Sequence, residues 1–454
     1  MRLHLLLMTF AALASLTGCA ARHGAGDRGG ALAPALDDAR ARHVILLIGD
    51  GLGDSEITIA RNYHAGAAGR LALDTLPLTG AYTTYAVRED NPHLPEYVGD
   101  SAATATAWAT GHKTSNARLS TAPGTGQPLP TILELAQAHG FKTGNVTTAE
   151  LTDATPAALM AHVAHRSCHG PADMAACPRD KTSVGGPGSI AEQAIAHSVD
   201  VLLGGGRTRF EQVIDGGPHA GQTVVQHAAA SGYTVVTTAA ELEALDPAQL
   251  HDRKVLGLFA PVNMSLEWRG EPARPYPGGP PQRCSEGARP DDEPSLAAMT
   301  RTAIALLDEG TGHGFFLQVE GASIDKRDHA ADPCAQIGET IAFDAAVAVA
   351  LEYAAAHPDT LVIVTGDHAH TSQIIPAPEP ADHSPGVYST LITNEGAPMT
   401  VHYATNLPGR SQEHTGTQIR VAAQGPQAAH VLGVTDQTDL FRLMARAMGL
   451  DEGR

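Results

Sequence analysis

The run Val44-Ile45-Leu46-Leu47-Ile48 constrains this chain more than any other stretch. An apolar stretch without polar alternation reads as a strand buried on both faces, because a half-exposed strand would alternate. Similar runs recur at Val201-Leu202-Leu203, Phe315-Phe316-Leu317-Gln318-Val319 and Leu361-Val362-Ile363-Val364. Ala-rich helical stretches lie between them, from Thr131 to His139 and from Ser295 to Leu307. Strand–helix alternation of this kind predicts an α/β fold, a central mostly parallel sheet flanked by helices on both faces. Length alone would allow about three domains, but large α/β enzymes often run as one unit and the sequence carries no internal repeat. We therefore read 43–454 as one folded unit. Within it, 271–293 is dense in Pro, Gly and charge and reads as a long loop. The stretch 376–411, with Pro376, Pro378, Pro380 and Pro385, reads as irregular and could form a small inserted subdomain.

The N-terminus reads as an export signal over 1–18. Arg2 supplies a positive start, and a largely apolar stretch from Leu5 to Leu16 is short for a bilayer span. It ends in Leu16-Thr17-Gly18-Cys19, which resembles a bacterial lipoprotein processing box with Cys19 as the lipidated residue. Ordinary cleavage near Ala20 or Ala21 is the alternative, and either way the expectation is an exported, periplasmic protein, membrane-anchored if Cys19 is lipidated. Residues 19–42, rich in Ala, Gly, Arg and Asp, read as a flexible tether. Beyond Cys19 there remain Cys168, Cys177, Cys284 and Cys334, an even set suited to disulfides in an oxidising compartment. Four Cys allow three pairings; Cys168 with Cys177 closes a short loop and leaves Cys284 with Cys334. Free thiols or a zinc site are the alternatives, although the spacings lack the C-x-x-C form of structural zinc sites.

Three of the four apolar runs end in acidic or imidazole residues. Asp50 follows Ile48-Gly49, Glu320 follows Val319, and Asp367-His368 follow Val364-Thr365-Gly366. Ligands of open α/β sheets bind at the carboxyl ends of strands. Several carboxylates buried together are very costly without cations, so this pattern points to metal. Taken singly, Asp50 could be a helix N-cap and Asp367-His368 a loop pair. Gly49-Asp50-Gly51-Leu52-Gly53-Asp54 only half imitates a dinucleotide fingerprint, since Asp54 takes the third Gly position. Asp325 and His329 are four apart, so one helical turn would put both on one face toward one ion. In Asp100-Ser101-Ala102-Ala103, a hydroxyl at a helix N-terminus would meet free N–H groups that favour an anion, or Asp100 or Ser101 would simply cap the helix. The formal charge of -19 disfavours nucleic acid as a partner and leaves any anionic substrate in need of a locally positive site.

Together these segments resemble the bacterial alkaline phosphatase family. The carriers are Ile48 to Asp54, Asp100 to Ala105, Thr152-Asp153-Ala154-Thr155-Pro156-Ala157, Glu320-Gly321-Ala322-Ser323-Ile324-Asp325, Thr365 to His370 and Glu413-His414-Thr415-Gly416. They stand in the family's order, and the resemblance runs from about His43 to Leu450. It implies a three-layer α/β sandwich that hydrolyses phosphate monoesters, with inorganic phosphate as product and inhibitor, through a phosphoserine intermediate. By resemblance, Ser101 is the nucleophile and Arg166 grips the phosphate. Asp325, His329 and His414 match the ligands of one zinc; Asp50, Asp367 and His368 match those of a second. Asp50, Thr155 and Glu320 match magnesium ligands, with Asp153 reaching that ion through water. Lys326 and Asp100 match residues around the phosphate, and His370 matches a residue that hydrogen-bonds a zinc ligand. The Asp and Lys at 153 and 326 are the form that implies magnesium rather than a third zinc, hence two Zn2+ and one Mg2+ per chain. The resemblance also implies the Cys168–Cys177 and Cys284–Cys334 disulfides and a homodimer. A sulfatase or phosphodiesterase relative is the nearest rival. Ser101-Ala102-Ala103-Thr104 lacks the sulfatase C/S-x-P-x-R context, and many diesterases use Thr and lack the arginine. A silent metal- or phosphate-binding lipoprotein would have no need of Ser101.

Overall fold

The computed structural model describes residues 37–250, 253–309, 312–377 and 384–450. The signal, Cys19 and most of the tether lie outside the described residues. Four strands form the centre, labelled here in chain order: β1 (His43–Gly49), β2 (Lys142–Glu150), β3 (Phe315–Gly321) and β4 (Thr360–Gly366). They belong to a ten-stranded sheet. Across it the order is Val434–Asp436, Leu78–Thr83, Ile419–Gln424, β4, β1, β3, β2, Val201–Gly205, Lys254–Leu258, Tyr233–Val236. Ile419–Gln424 runs antiparallel to both its neighbours, and every other pairing is parallel.

The apolar run of β1 explains the layers. Val44, Leu46 and Ile48 enter one hydrophobic cluster, while Ile45 and Leu47 enter another on the opposite face. All five are fully buried, each worth about 1.5–3 kcal/mol of burial. Helices cover both faces. The longest, Pro333–Ala356, is apolar enough to cross a membrane, yet 72% of its most apolar window is buried in the fold. It is a core helix whose Phe343, Ala346, Val347 and Ala350 fill the second cluster.

Strand β2 was not legible as a buried strand, because its sequence Lys-Thr-Gly-Asn-Val-Thr-Thr-Ala-Glu is mostly polar. Its polar groups are buried with partners: Asn145 Nδ2 donates to the Pro156 carbonyl (2.8 Å), and Thr148 Oγ1 accepts from the Ala322 N–H (2.9 Å). The 376–411 stretch is more ordered than its prolines suggest. Val387–Ile392 and Pro398–Tyr403 form an antiparallel pair, joined by Gln373–Ile375 and Arg274–Pro275 into a four-stranded sheet. That sheet shares a third cluster with Ile59, Tyr63, Trp268 and Cys334. The disulfides are Cys168–Cys177 and Cys284–Cys334.

Register sets the site. Gly49 lies opposite both Gly321 and Gly366, so the chain leaves three adjacent strands at one level. Asp50 and Asp367 are therefore the next residues on two neighbouring strands, and Glu320 sits one step earlier on the third, opposite Ile48.

Candidate active site

Tight turns bring the three strand ends together. Gly51 has φ +71°, and a Cβ there would sit 2.9 Å from the Asp325 backbone, so glycine is required for conformation and for space. Its N–H donates to Asp367 Oδ1 (2.8 Å), which also accepts from the His368 N–H (2.8 Å). The Asp325 N–H donates to the Asp50 carbonyl (2.9 Å) and ties the turn after β1 to the helix Ser323–His329.

Ser101 opens the helix Ser101–Thr110, capped by Asp100, whose Oδ1 accepts from the Ala103 N–H (3.0 Å). At the far end Trp108 Nε1 donates to Gln318 Oε1 on β3 (3.0 Å), which fixes the helix against the sheet. The Ser101 hydroxyl is buried; it donates to Asp50 Oδ1 (3.3 Å) and lies 3.3 Å from His368 Nε2. It stands among N–H groups of a helix N-terminus, where an anion is favoured.

Beside it, imidazoles converge on one carboxylate. Asp325 Oδ1 lies 3.4 Å from His329 Nε2, 3.3 Å from His370 Nε2 and 3.2 Å from His414 Nε2. His414 and His329 face each other Nε2 to Nε2 at 3.1 Å. Asp325 Oδ1, buried at their centre, nevertheless makes no well-aligned hydrogen bond. Donor atoms on one tetrahedral zinc, each about 2.0–2.1 Å from the ion, sit about 3.4 Å apart. The spacing, the mixed nitrogen and oxygen donors and the orphaned Asp325 oxygen all fit such an ion. A neighbouring group, Asp50, Asp325 and His368, also brings its ligand atoms within 4.8 Å of one another. His368 Nε2 is 3.2 Å from Asp367 Oδ2 and 3.5 Å from Asp50 Oδ1.

Electrostatics leads to the same requirement. Burial, then the negative charges of Asp367 and Asp325, push Asp50 well above the usual carboxylate range. Burial pushes Asp367 to about 6 and Glu320 to about 7. Burial alone would raise Asp325 too, but the imidazoles of His370 and His414 hold it well below its ordinary value. Carboxyls this crowded need cations or protons between them. Glu320 is faced by the hydroxyls of Thr147 and Thr155, with the Lys326 charge nearby; the hard oxygen donors suit magnesium.

Arg166 Nη2 donates to Asp153 Oδ1 (2.8 Å) and Nη1 to Asp100 Oδ2 (3.4 Å). Lys326 Nζ lies 2.9 Å from Asp153 Oδ2. Burial would raise Asp153, yet the charges of Lys326 and Arg166 hold it far below the usual range. Asp153 thus sits between the two basic side chains Arg166 and Lys326. Sequence reasoning missed the residues that hold the site in place. Thr104 Oγ1 donates to Asp367 Oδ2 (3.3 Å), Gln437 Nε2 donates to the Asp367 carbonyl (2.8 Å), and the Gln412 carbonyl meets His329 Nδ1. Only Thr104, inside the Ser101 motif, carried a local signal.

Comparison with known proteins agrees with this geometry. The alkaline phosphatase family model matches residues 41–406 and 391–450. Streptomycin-6-phosphate phosphatase of Streptomyces griseus is 56% identical, covering 91% of each chain. Alkaline phosphatase of Escherichia coli K12 is 51% identical over 95% of this chain and 91% of its own. The solved alkaline phosphatase of the Antarctic bacterium TAB5 superposes with a TM-score of 0.69 at 25% identity, over 91% of this chain and 99% of its own. Matched along almost its whole described length, the chain belongs to the alkaline phosphatase family and is a phosphate monoester hydrolase.

Proposed function

We propose that hydrolysis runs through a phosphoserine on Ser101. The observation that carries this reading is the buried Ser101 hydroxyl at a helix N-terminus, 3.3 Å from both Asp50 Oδ1 and His368 Nε2. Asp50 and His368, both within reach of the serine oxygen, are also residues that would hold a cation beside it, and a serine oxygen needs activation of that kind to attack. Ser101 Oγ attacks phosphorus in line, the ester P–O bond breaks, and the alcohol departs with a proton. Water then displaces Ser101 and releases inorganic phosphate. Arg166 turns its planar fork from Asp153 and Asp100 to two phosphate oxygens, and Lys326 adds positive charge beside them. Asp325, His329 and His414 would hold one zinc, with His370 orienting Asp325. Asp50, Asp367 and His368 would hold a second zinc. Asp50, Thr155 and Glu320, with Asp153 through water, would hold magnesium. A TAB5 mutant described with Mg bound in its M3 site supports the last assignment. When bound, these ions supply the positive charge and the lowered oxygen pKa that in-line displacement requires. The same reading has the mature protein exported as a homodimer, with Cys19 as its lipid anchor.

The test is p-nitrophenyl phosphate turnover by the metal-loaded enzyme, a chelated sample and Ser101→Ala. Activity should vanish with chelator, return with zinc plus magnesium, and fall by at least about a thousandfold in Ser101→Ala. Unchanged activity in Ser101→Ala would sink the assignment. An aminoglycoside phosphate, suggested by the name of the S. griseus relative, is the comparison substrate.

A further inference from the structure

A second convergence of ligand atoms lies outside the active site. Glu134, His162 and His197 bring one donor atom each within 4.8 Å of one another. They come from three places in the fold: the helix Ile132–Ala138, the chain leading to Arg166, and the end of the helix Ile190–Ala196. Glu134 Oε2 is committed to capping its own helix, accepting from the Thr131 N–H (2.8 Å). Oε1 faces outward, 3.2 Å from His162 Nε2 and 3.5 Å from His197 Nδ1. These separations bracket the figure of about 3.4 Å expected for two donors on one tetrahedral zinc.

The His162 ring is held in one tautomer. Its Nδ1 lies 2.8 Å from the Ser120 carbonyl, which can only accept, so Nδ1 carries a proton. In the neutral ring Nε2 then presents a lone pair to a carboxylate oxygen 3.2 Å away. Two lone pairs at that distance need a proton or a cation between them. A ligating histidine with its other N–H on a backbone carbonyl is the arrangement that metal sites use to fix ring orientation. The backbone is fixed as well. Gln193 Oε1 accepts from the His162 N–H (2.9 Å), and Gln137 Nε2 donates to the His197 carbonyl (2.9 Å). The three side chains are 12–27% exposed, so solvent can reach the group.

We propose that Glu134, His162 and His197 bind one divalent cation of the zinc class, with water as fourth ligand. Two imidazoles and a carboxylate select zinc-class ions over magnesium or calcium. The role is structural. Val163 pairs with Leu119, and Arg166 follows four residues after His162, so an ion here would fasten the chain that carries Arg166 to two helices.

The experiment uses the full enzyme with its catalytic metals in place. Wild type, Glu134→Gln and His197→Asn are equilibrated with zinc, desalted and counted for zinc by mass spectrometry, with thermal midpoints recorded across a zinc titration. Glu134→Gln keeps a capping acceptor, and His197→Asn changes a half-buried helix end, so neither removes a core contact. Retained p-nitrophenyl phosphate turnover verifies that each variant is folded. The expected result is one zinc per chain more in wild type than in either variant, with a zinc-dependent rise in midpoint that both variants lose. Equal zinc content in all three proteins would overturn the proposal and leave His162 as a protonated partner of Glu134.

Discussion

The two ends of β1 both bury a titratable side chain, and they solve the problem in opposite ways. At the amino end His43 is 1% exposed, packed 4.5 Å from the Phe315 ring, with no hydrogen bond to either ring nitrogen among the described residues. Burial lowers it to about 4, so it is neutral at physiological pH and behaves as an apolar group. Beyond the carboxyl end, Asp50 cannot be neutralised so simply, because Asp367, Asp325 and Glu320 crowd the same space. One buried ionisable group discharges itself; several together recruit counter-charge. The strand is equally apolar throughout, so the difference comes from what the neighbouring strands deliver at each end.

Three changes probe that contrast, from the largest expected effect to the smallest. Asp325→Asn removes the charge at the centre of three imidazoles. Outer partners of a metal ligand are worth about 10–100-fold in affinity, so loss of a central carboxylate should cost at least that in zinc retention and in kcat/KM. Zinc content unchanged after dialysis would show that the carboxyl end is not organised around cations. Arg166→Lys keeps the charge but loses the fork. Charge-assisted hydrogen bonds are worth about 1.5–3 kcal/mol, so kcat/KM should fall about 10–100-fold, and a steady-state comparison that finds no loss would rule out a two-oxygen grip.

His43→Phe addresses the other end. Folded His43 takes up its proton only near pH 4, whereas the unfolded imidazole does so near 6.5. Between these values the unfolded state holds more protons. This contribution to stability is therefore fully present above pH 6.5 and is lost as pH falls toward 4. After allowance for partial solvent screening, about 1–2 kcal/mol should go this way. Urea melts between pH 4 and 7 should show a shallower acid slope in His43→Phe; parallel curves would mean the imidazole is not discharged by the fold.

How much of this was readable in advance depended on whether a residue's signal was local. The apolar run of β1 announced a strand buried on both faces, and Asp325 with His329 announced one helical face, because each pattern repeats at the period of its own element. Strand β2 hid behind Thr and Asn, whose burial is affordable only because partners arrive from β3 and from the turn after Asp153. The pair Val387–Ile392 and Pro398–Tyr403 hid among prolines that lie mostly outside its strands. Gln412 acts through its own carbonyl and Gln437 through the carbonyl of distant Asp367, contacts that no residue spacing announces. The same is true of Glu134, His162 and His197, three positions scattered over a chain with 23 histidines.

Arg166 already has two anionic partners before any phosphate arrives. On the proposed role of Arg166, ligand capture at this guanidinium is an exchange of one anion for another, not the filling of a bare positive site. The energy released in that exchange is the difference between two sets of charge-assisted hydrogen bonds, less than either set alone. Departure is correspondingly easy, because Asp153 and Asp100 stand ready to take the arginine back. In the proposed reaction the product is itself an anion, and the internal carboxylates would act as a returning competitor that clears the site for the next substrate.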